Sequence, residues 1–277
     1  MEGQIIKIIS DLHYVKCENE VFPCKCRGIM RHEHITPVVG DYVLFDMEKL
    51  IIDKILDRKN LFNRPKVSNI DQVFIITSMV VPDFSLNLLD KLLVNMELHK
   101  VKPIIVISKS DLVDDMTNYE EIFNYYRSIG YTVIYNYEND KIKELLKGKT
   151  SVFTGQTGAG KSTLLNKLDS TFDIEVGEVS ISLGRGRHTT REVSMYELYD
   201  GEVIDTPGFS ALDFNEFSKE EIRDAFIEFK KYPCEFKNCM HINTENCEVK
   251  KAVLENNILK SRYENYLKFI GDDKNEN

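Results

Sequence analysis

Gly155-Gln156-Thr157-Gly158-Ala159-Gly160-Lys161-Ser162 matches G-x-x-x-x-G-K-[ST] at every fixed position. Val152-Phe153-Thr154 ahead of it reads as a strand, and Thr163-Leu164-Leu165-Asn166-Lys167-Leu168 behind it as a helix. Strand, glycine loop and helix in that order make a phosphate-binding loop. The glycines let the backbone wrap an anion with its N–H groups inward, and the helix N-terminus adds favourable potential. Lys161 then reaches the β- and γ-phosphates, and the Ser162 hydroxyl ligates Mg²⁺. The candidate cradle runs from Gly155 to Thr163. The rival reading, a turn with a chance Lys-Ser, leaves the flanking strand and helix unexplained.

About 40 residues further on, Asp205-Thr206-Pro207-Gly208 follows the apolar pair Val203-Ile204. A carboxylate at a strand end can hold the metal through a water, while the Gly208 amide can sense the γ-phosphate. Between the two motifs lies Gly184-Arg185-Gly186-Arg187-His188-Thr189-Thr190, basic and threonine-bearing. It suits a loop that closes on nucleotide and Mg²⁺, with Thr190 preferred as the metal-sensing threonine and Thr189 second. Without its neighbours this stretch would read as a surface loop.

Upstream, Ser108-Lys109-Ser110-Asp111 ends the strand-like run Ile104 to Ile107. GTPases read guanine with N-K-x-D at such a place. The Asp111 carboxylate accepts from N1–H and the 2-amino group, a donor pair that adenine lacks, while the Lys109 stem stacks over the base. Ser108 stands where asparagine is usual, so one amide contact is lost and a hydroxyl must substitute, at about 1 kcal/mol. This base reader precedes the phosphate loop, whereas in ordinary GTPases it follows. The order is therefore that of a circular permutation: base reader, phosphate loop, switch I, switch II. Permutation puts the third segment of the chain directly after switch II, where it can brace or sense that switch.

Around this core the sequence divides into residues 1–66, 67–216 and 217–277. The first segment has short β-like runs, such as Gln4 to Ile9, Tyr42 to Phe45 and Leu50 to Ile52, broken by Pro37-Val38-Val39-Gly40-Asp41. Several short strands in so few residues suit a small barrel such as an OB-fold. The second alternates strand and helix, which implies a parallel sheet covered on both faces. Its elements are a strand at Val73 to Thr77, helices at Leu86 to Lys100 and Tyr119 to Ile129, a strand at Tyr131 to Tyr135 and a helix near Lys141 to Leu146. The third opens on the capping box Ser218-Lys219-Glu220-Glu221 and is read as mostly helical, with one long helix from about Val249 to Phe269.

Six cysteines fall in two groups, Cys17, Cys24, Cys26 and Cys234, Cys239, Cys247. With His241 the late group gives C-x4-C-x-H-x5-C, a closed tetrahedral zinc set. Cys24, Cys26, His32 and His34 make a poorer set, because the gap between the two pairs is shorter than in a classical finger. They read as ordinary thiols.

The formal net charge of −9 argues against nonspecific coating of nucleic acid. Residues 1–65, however, balance 10 Lys+Arg against 10 Asp+Glu, and residues 218–277 hold 11 against 12. The ends can therefore meet an anion through Lys25, Arg27 and Arg31, or Lys230, Lys231 and Lys237. No apolar run approaches a membrane span and the start is unlike a signal peptide, so a cytoplasmic protein with no membrane partner is expected.

On these motifs the chain resembles the ribosome small-subunit-dependent GTPase A family. Gly155 to Ser162, Gly186-Arg187-His188-Thr189-Thr190, Asp205 to Gly208, the late Cys/His cluster and Asn69-Ile70-Asp71-Gln72-Val73 stand where that family has its motifs. The resemblance covers nearly the whole chain. It implies an OB-fold barrel, a circularly permuted GTPase domain and a zinc module, with GTP/GDP, Mg²⁺ and one Zn²⁺ bound. It further implies a role late in assembly of the small ribosomal subunit and contact with its rRNA, with hydrolysis stimulated by that subunit; a monomer is expected. Ser108 is the departure. The alternative is a regulatory GTPase acting on a protein partner without RNA. A phosphate-loop ATPase or small-molecule kinase is disfavoured by Asp111.

Phe209 occupies the position of the water-orienting glutamine of Ras-like enzymes. Slow unassisted turnover is expected. His188, in candidate switch I, is the leading side chain to orient water when the subunit is bound, beside Lys161 and Thr190 as catalytic groups. A solvated or rRNA-touching histidine is the competing reading.

Overall fold

The computed structural model describes residues 1–28, 36–63, 65–169, 193–205 and 213–271. Five strands form the first layer: β1 (Glu2–Ile9), β2 (Leu12–Cys17), β3 (Glu20–Cys26), β4 (Tyr42–Asp46) and β5 (Ile51–Ile55). Their order is β1-β2-β3-β5-β4, and β4 pairs back with β1, so the barrel closes. Alternation decides what fills it. On β4, Val43 and Phe45 are buried while Tyr42 and Leu44 stay outside. Ile5, Val15, Cys24 and Ile52 complete the small core.

A hairpin, β6 (Leu61–Asn63) with β7 (Lys66–Ser68), leads into the second layer. Its Phe62 and Val67 lie in the core of that layer. Asp41, fully buried, pins the junction. It accepts from Arg58 Nε and Nη2 (both 2.7 Å), Ser68 Oγ (2.6 Å) and Val38 N (2.8 Å).

The motif Asn69 to Gln72 serves the same junction. Asn69 Nδ2 donates to Gly40 O (2.8 Å), and Asn69 Oδ1 accepts from Lys59 N (2.8 Å). Asp71 Oδ2 accepts from Thr150 N (2.9 Å), and Gln72 Nε2 donates to Leu145 O (2.7 Å) and Ser151 Oγ (3.0 Å). These side chains join barrel, linker and phosphate-loop strand.

The second layer is a six-stranded sheet. Its members are β8 (Gln72–Ser78), β9 (Lys102–Ser108), β10 (Thr132–Tyr135), β11 (Thr150–Gly155), β12 (Ser194–Leu198) and β13 (Gly201–Asp205). The order is β10-β9-β8-β11-β13-β12, parallel except for β12. Successive residues serve opposite faces, as strand geometry requires. Val73 and Ile75 pack under α1 (Leu86–Leu98) and α2 (Thr117–Ile129). Phe74 and Ile76 pack under α3 (Asn139–Leu146) and α4 (Lys161–Leu168). One antiparallel pairing, Lys7 with Ser194, makes the barrel and this sheet continuous.

The third layer holds α5 (Lys219–Asp224), α6 (Glu248–Leu254) and α7 (Lys260–Phe269). The capping box at Ser218 and Glu221 is formed. The single long helix expected over Val249 to Phe269 is in fact two. Asn256 turns left-handed at φ 59°, Asn257 N bonds Ala252 O (2.8 Å) and Asn256 N bonds Val253 O (3.1 Å). That is a Schellman end, and it lets Ile258 bury completely.

The layer packs on α1 through Val94 and Leu98. At the joint, buried Arg262 donates from Nε to Glu228 Oε1 (2.6 Å) and from Nη1 to Asp90 Oδ1 (2.7 Å). Tyr126 OH and Asn265 Nδ2 also donate to Asp90. The segment following candidate switch II touches the same region. Phe217 stands edge-on to His99, which stacks on Phe62 at 4.1 Å.

Candidate nucleotide site and metal centre

Five parallel strands of the second layer end at one edge: β8 at Ser78, β9 at Ser108, β10 at Tyr135, β11 at Gly155 and β13 at Asp205. The carboxyl ends of parallel strands are where open α/β sheets bind ligands. β11, carrying the candidate phosphate loop, is central, and β9, carrying the candidate base reader, lies beyond β8. The two motifs are thus spatial neighbours although the reader comes first in the chain.

The phosphate loop needs its glycines. Gly155 sits at φ 150°, where an added Cβ would lie 2.2 Å from Ile76 O. Gly160, at φ 98°, is the residue from which α4 starts. Lys161 Nζ donates to Gly155 O (3.0 Å) and Ala159 N to Gln156 O (3.0 Å). Charged phosphate oxygens are stronger acceptors than carbonyls and compete for both donors. Thr157, Gly158 and Thr163 are exposed, and Gln156 and Ser162 are half-buried at the same mouth.

Asp111 lies exposed in a short 3-10 turn, Ser110–Leu112, directly after β9. Lys109 takes a left-handed conformation, φ 57°, and its ammonium donates to Val81 O. That carbonyl belongs to the loop between β8 and α1, whose Pro82 also faces Gly158. Nothing in Val81-Pro82 as a sequence pointed to Lys109.

Ser108 is not at the mouth. It is 1% exposed, and its hydroxyl donates to Ala159 O at 2.6 Å, beneath the phosphate loop. Thr189, Thr190, His188, Gly208 and Phe209 lie outside the described residues, as does the Asp205 side chain. The Asp205 backbone ends β13, opposite Ser194.

A cavity of about 640 Å³ opens at the other end of the sheet, lined by Tyr42, Asp71, Lys149, Asp200 and Glu202 among others. It touches none of the expected nucleotide residues. The motif residues, and not that hollow, mark the candidate nucleotide site.

In the third layer Cys234, Cys239, His241 and Cys247 bring their ligand atoms within 4.8 Å of one another. Cys234 Sγ lies 3.7 Å from Cys247 Sγ and 3.5 Å from His241 Nδ1, which is 3.4 Å from Cys247 Sγ. Zinc bonds of about 2.3 Å to sulfur and about 2.0 Å to nitrogen give tetrahedral edges of about 3.8 and about 3.5 Å. The set fits a closed zinc site.

Burial, then the Arg223 cation, hold His241 down to about 4, so the ring is neutral and able to ligate. Burial pushes the Cys247 thiol up to about 12. Burial also raises Cys239, but the Thr244 hydroxyl and the His241 N–H outweigh it. Thiols packed this way favour a cation among them. Tyr263 OH donates to His241 O (2.6 Å) and Tyr266 OH to Met240 O (2.5 Å), fixing the loop from α7.

The early cysteines form no such group among the described residues. Cys24 is buried in the barrel, while Cys26 Sγ lies 3.7 Å from His13 Nδ1. His32 and His34 lie outside the described residues.

Comparison with known proteins bears on the whole arrangement. A family profile described as RsgA GTPase matches residues 55–215, and one described as RsgA N-terminal domain matches residues 2–50. The chain belongs to the RsgA GTPase family.

A relative from Streptococcus agalactiae, named small ribosomal subunit biogenesis GTPase RsgA, is 42% identical over 99% of this chain and 96% of its own length. One from Enterococcus faecalis with the same name is 43% identical, again over 99% and 96%. Among solved structures, YjeQ from Thermotoga maritima matches with a TM-score of 0.85 at 31% identity, covering 100% of this chain and 99% of its own. YloQ, described as a circularly permuted GTPase, matches at 0.81 and 35%, covering 100% and 96%. Membership of the RsgA GTPase family makes this chain a GTPase that binds GTP and GDP, and the rotated motif order agrees with the circular permutation described for YloQ.

Proposed function

We propose that this chain hydrolyses GTP as an assembly factor in late maturation of the small ribosomal subunit, with turnover raised by that subunit and rRNA met by the flanking modules. The observation that carries this reading is the near-complete coverage of relatives named for small ribosomal subunit biogenesis, barrel and metal module included. The reading takes the protein to be cytoplasmic and monomeric; no described helix is long and apolar enough to cross a membrane.

In this reading residues 1–66, 67–216 and 217–277 act as barrel, GTPase and zinc-binding domains. Lys161 meets the β- and γ-phosphates, and the Gly155 to Thr163 loop turns its amides on them. Ser162, Thr190 and Asp205 are the Mg²⁺ set, and the ion, when bound, neutralises charge on the phosphates. Asp111 accepts from the guanine edge and Gly208 senses the γ-phosphate. Cys234, Cys239, His241 and Cys247 hold one Zn²⁺. Phe209 offers water no hydrogen bond, so His188 orients the attacking water once the subunit is in place.

The test is GTP turnover with and without purified small subunits, using Lys161→Ala as the control. We expect slow basal turnover, stimulation by the subunit, and a fall of about 100-fold or more in the variant. Turnover indifferent to small subunits, but raised by a protein fraction free of RNA, would replace this reading with that of a protein-directed regulator.

A further inference from the structure

We propose that Ser108 is a strut for the phosphate loop and makes no donor contact with guanine, so this chain binds the base without using its N7 atom through the first residue of the base reader. The inference rests on the nucleotide site proposed above.

A serine hydroxyl carries one proton. Here it goes to Ala159 O at 2.6 Å, with Thr77 O second at 3.3 Å. Both acceptors are backbone carbonyls that flank a residue 1% exposed, so the hydroxyl has little room to turn elsewhere. What is left on Oγ is acceptor capacity only. Guanine N7 and O6 are themselves acceptors, and two acceptors facing each other form no bond. An asparagine would differ in kind, because its amide has two N–H donors and could brace a carbonyl and reach a base atom together.

The strut is placed where it counts. Ala159 precedes Gly160, the left-handed residue from which α4 starts. Ala159 N closes a turn onto Gln156 O, and Leu164 N bonds Gly160 O (2.9 Å). On the other side, Ser108 O accepts from Met79 N (3.1 Å) and the neighbouring Lys109 ammonium reaches Val81 O. Ser108 thus clamps the last turn of the phosphate loop to the end of β9. It is a positioning residue, acting on phosphate affinity through Ala159.

Titration with GDP and 7-deaza-GDP, in which N7 is replaced by C–H, tests this. The wild-type protein should bind both within about twofold. Ser108→Ala should weaken both by the same factor, about fivefold. Ser108→Cys keeps the volume but donates weakly, and should resemble Ser108→Ala, which separates the lost hydrogen bond from a packing defect. Ser108→Asn should newly penalise 7-deaza-GDP while binding GDP at least as well as wild type. A wild-type preference for GDP of tenfold or more that vanishes in Ser108→Ala would overturn the proposal, and so would unchanged affinities in Ser108→Ala. Failure of the wild-type protein to bind either nucleotide would instead remove the site reading itself.

Discussion

The nucleotide edge and the joint beneath the third layer both gather charged side chains, and they hold them in opposite ways. At the edge, Asp111 is exposed, and the donors of the phosphate loop come from residues a few positions apart on one strand–loop–helix unit. At the joint, Arg262, Asp90 and Glu228 are buried, and Arg262 meets partners 34 and 172 positions away in the chain. The edge holds its donors in short, local hydrogen bonds that a ligand can replace. The joint has taken its ions out of water, and their desolvation is offset only while every partner is present. One region is built for turnover of contacts, the other for permanence. Changes at the edge should alter affinity with little effect on stability, and changes at the joint should do the reverse.

Loss of metal from the third layer should break this contrast most severely. Cys247→Ser removes one of four ligands, and structural zinc contributes about 10 kcal/mol or more to such folds. We expect elemental analysis to find one zinc per wild-type chain and little in the variant. Residues beyond Ser218 should become open to limited protease. A variant that keeps full zinc and protection would separate the cluster from the fold.

Arg262→Leu comes next. It strands two buried carboxylates, which costs about 3–5 kcal/mol. Denaturant unfolding should show that loss while nucleotide affinity of the folded protein stays near wild type. If GDP affinity falls together with stability, joint and edge are coupled through α1 and the two regions are not independent.

Asp111→Asn should have the smallest effect. It exchanges one acceptor for a donor at an exposed site, so GTP affinity should fall by about tenfold, with xanthosine triphosphate gaining and the unfolding midpoint unmoved. Unchanged affinity for both nucleotides would take base reading away from Asp111.

The same contrast explains what the sequence disclosed. The phosphate loop, the base reader and the metal cluster are short patterns whose chemistry depends on near neighbours, so spacing alone brought out Gly155 to Ser162 and Cys234 to Cys247. Short β-like runs broken by turn residues likewise announced the barrel, and the alternation of strand and helix announced the sheet. The Arg262 joint gave no local sign. On α7 that arginine looks like one more solvated charge, and only long-range packing shows otherwise. Ser108 was legible as a departure but not as a strut, because Ala159 lies 51 positions downstream. The break between α6 and α7 was present in Asn256-Asn257, yet the apolar spacing on either side masked it.

The clamp around Asp41 has a consequence for anyone wishing to exchange parts among members of the RsgA GTPase family. Strand order suggests that the barrel could be lifted out as a cassette ending at Ile55. Its buried carboxylate, however, is completed by Arg58 and Ser68, and Asn69 then fastens the Gly40 carbonyl. A splice at Ile55 would pair the Asp41 of one parent with the linker of another. The transplantable unit therefore runs through Asn69, and chimeras cut just after it carry their own lock.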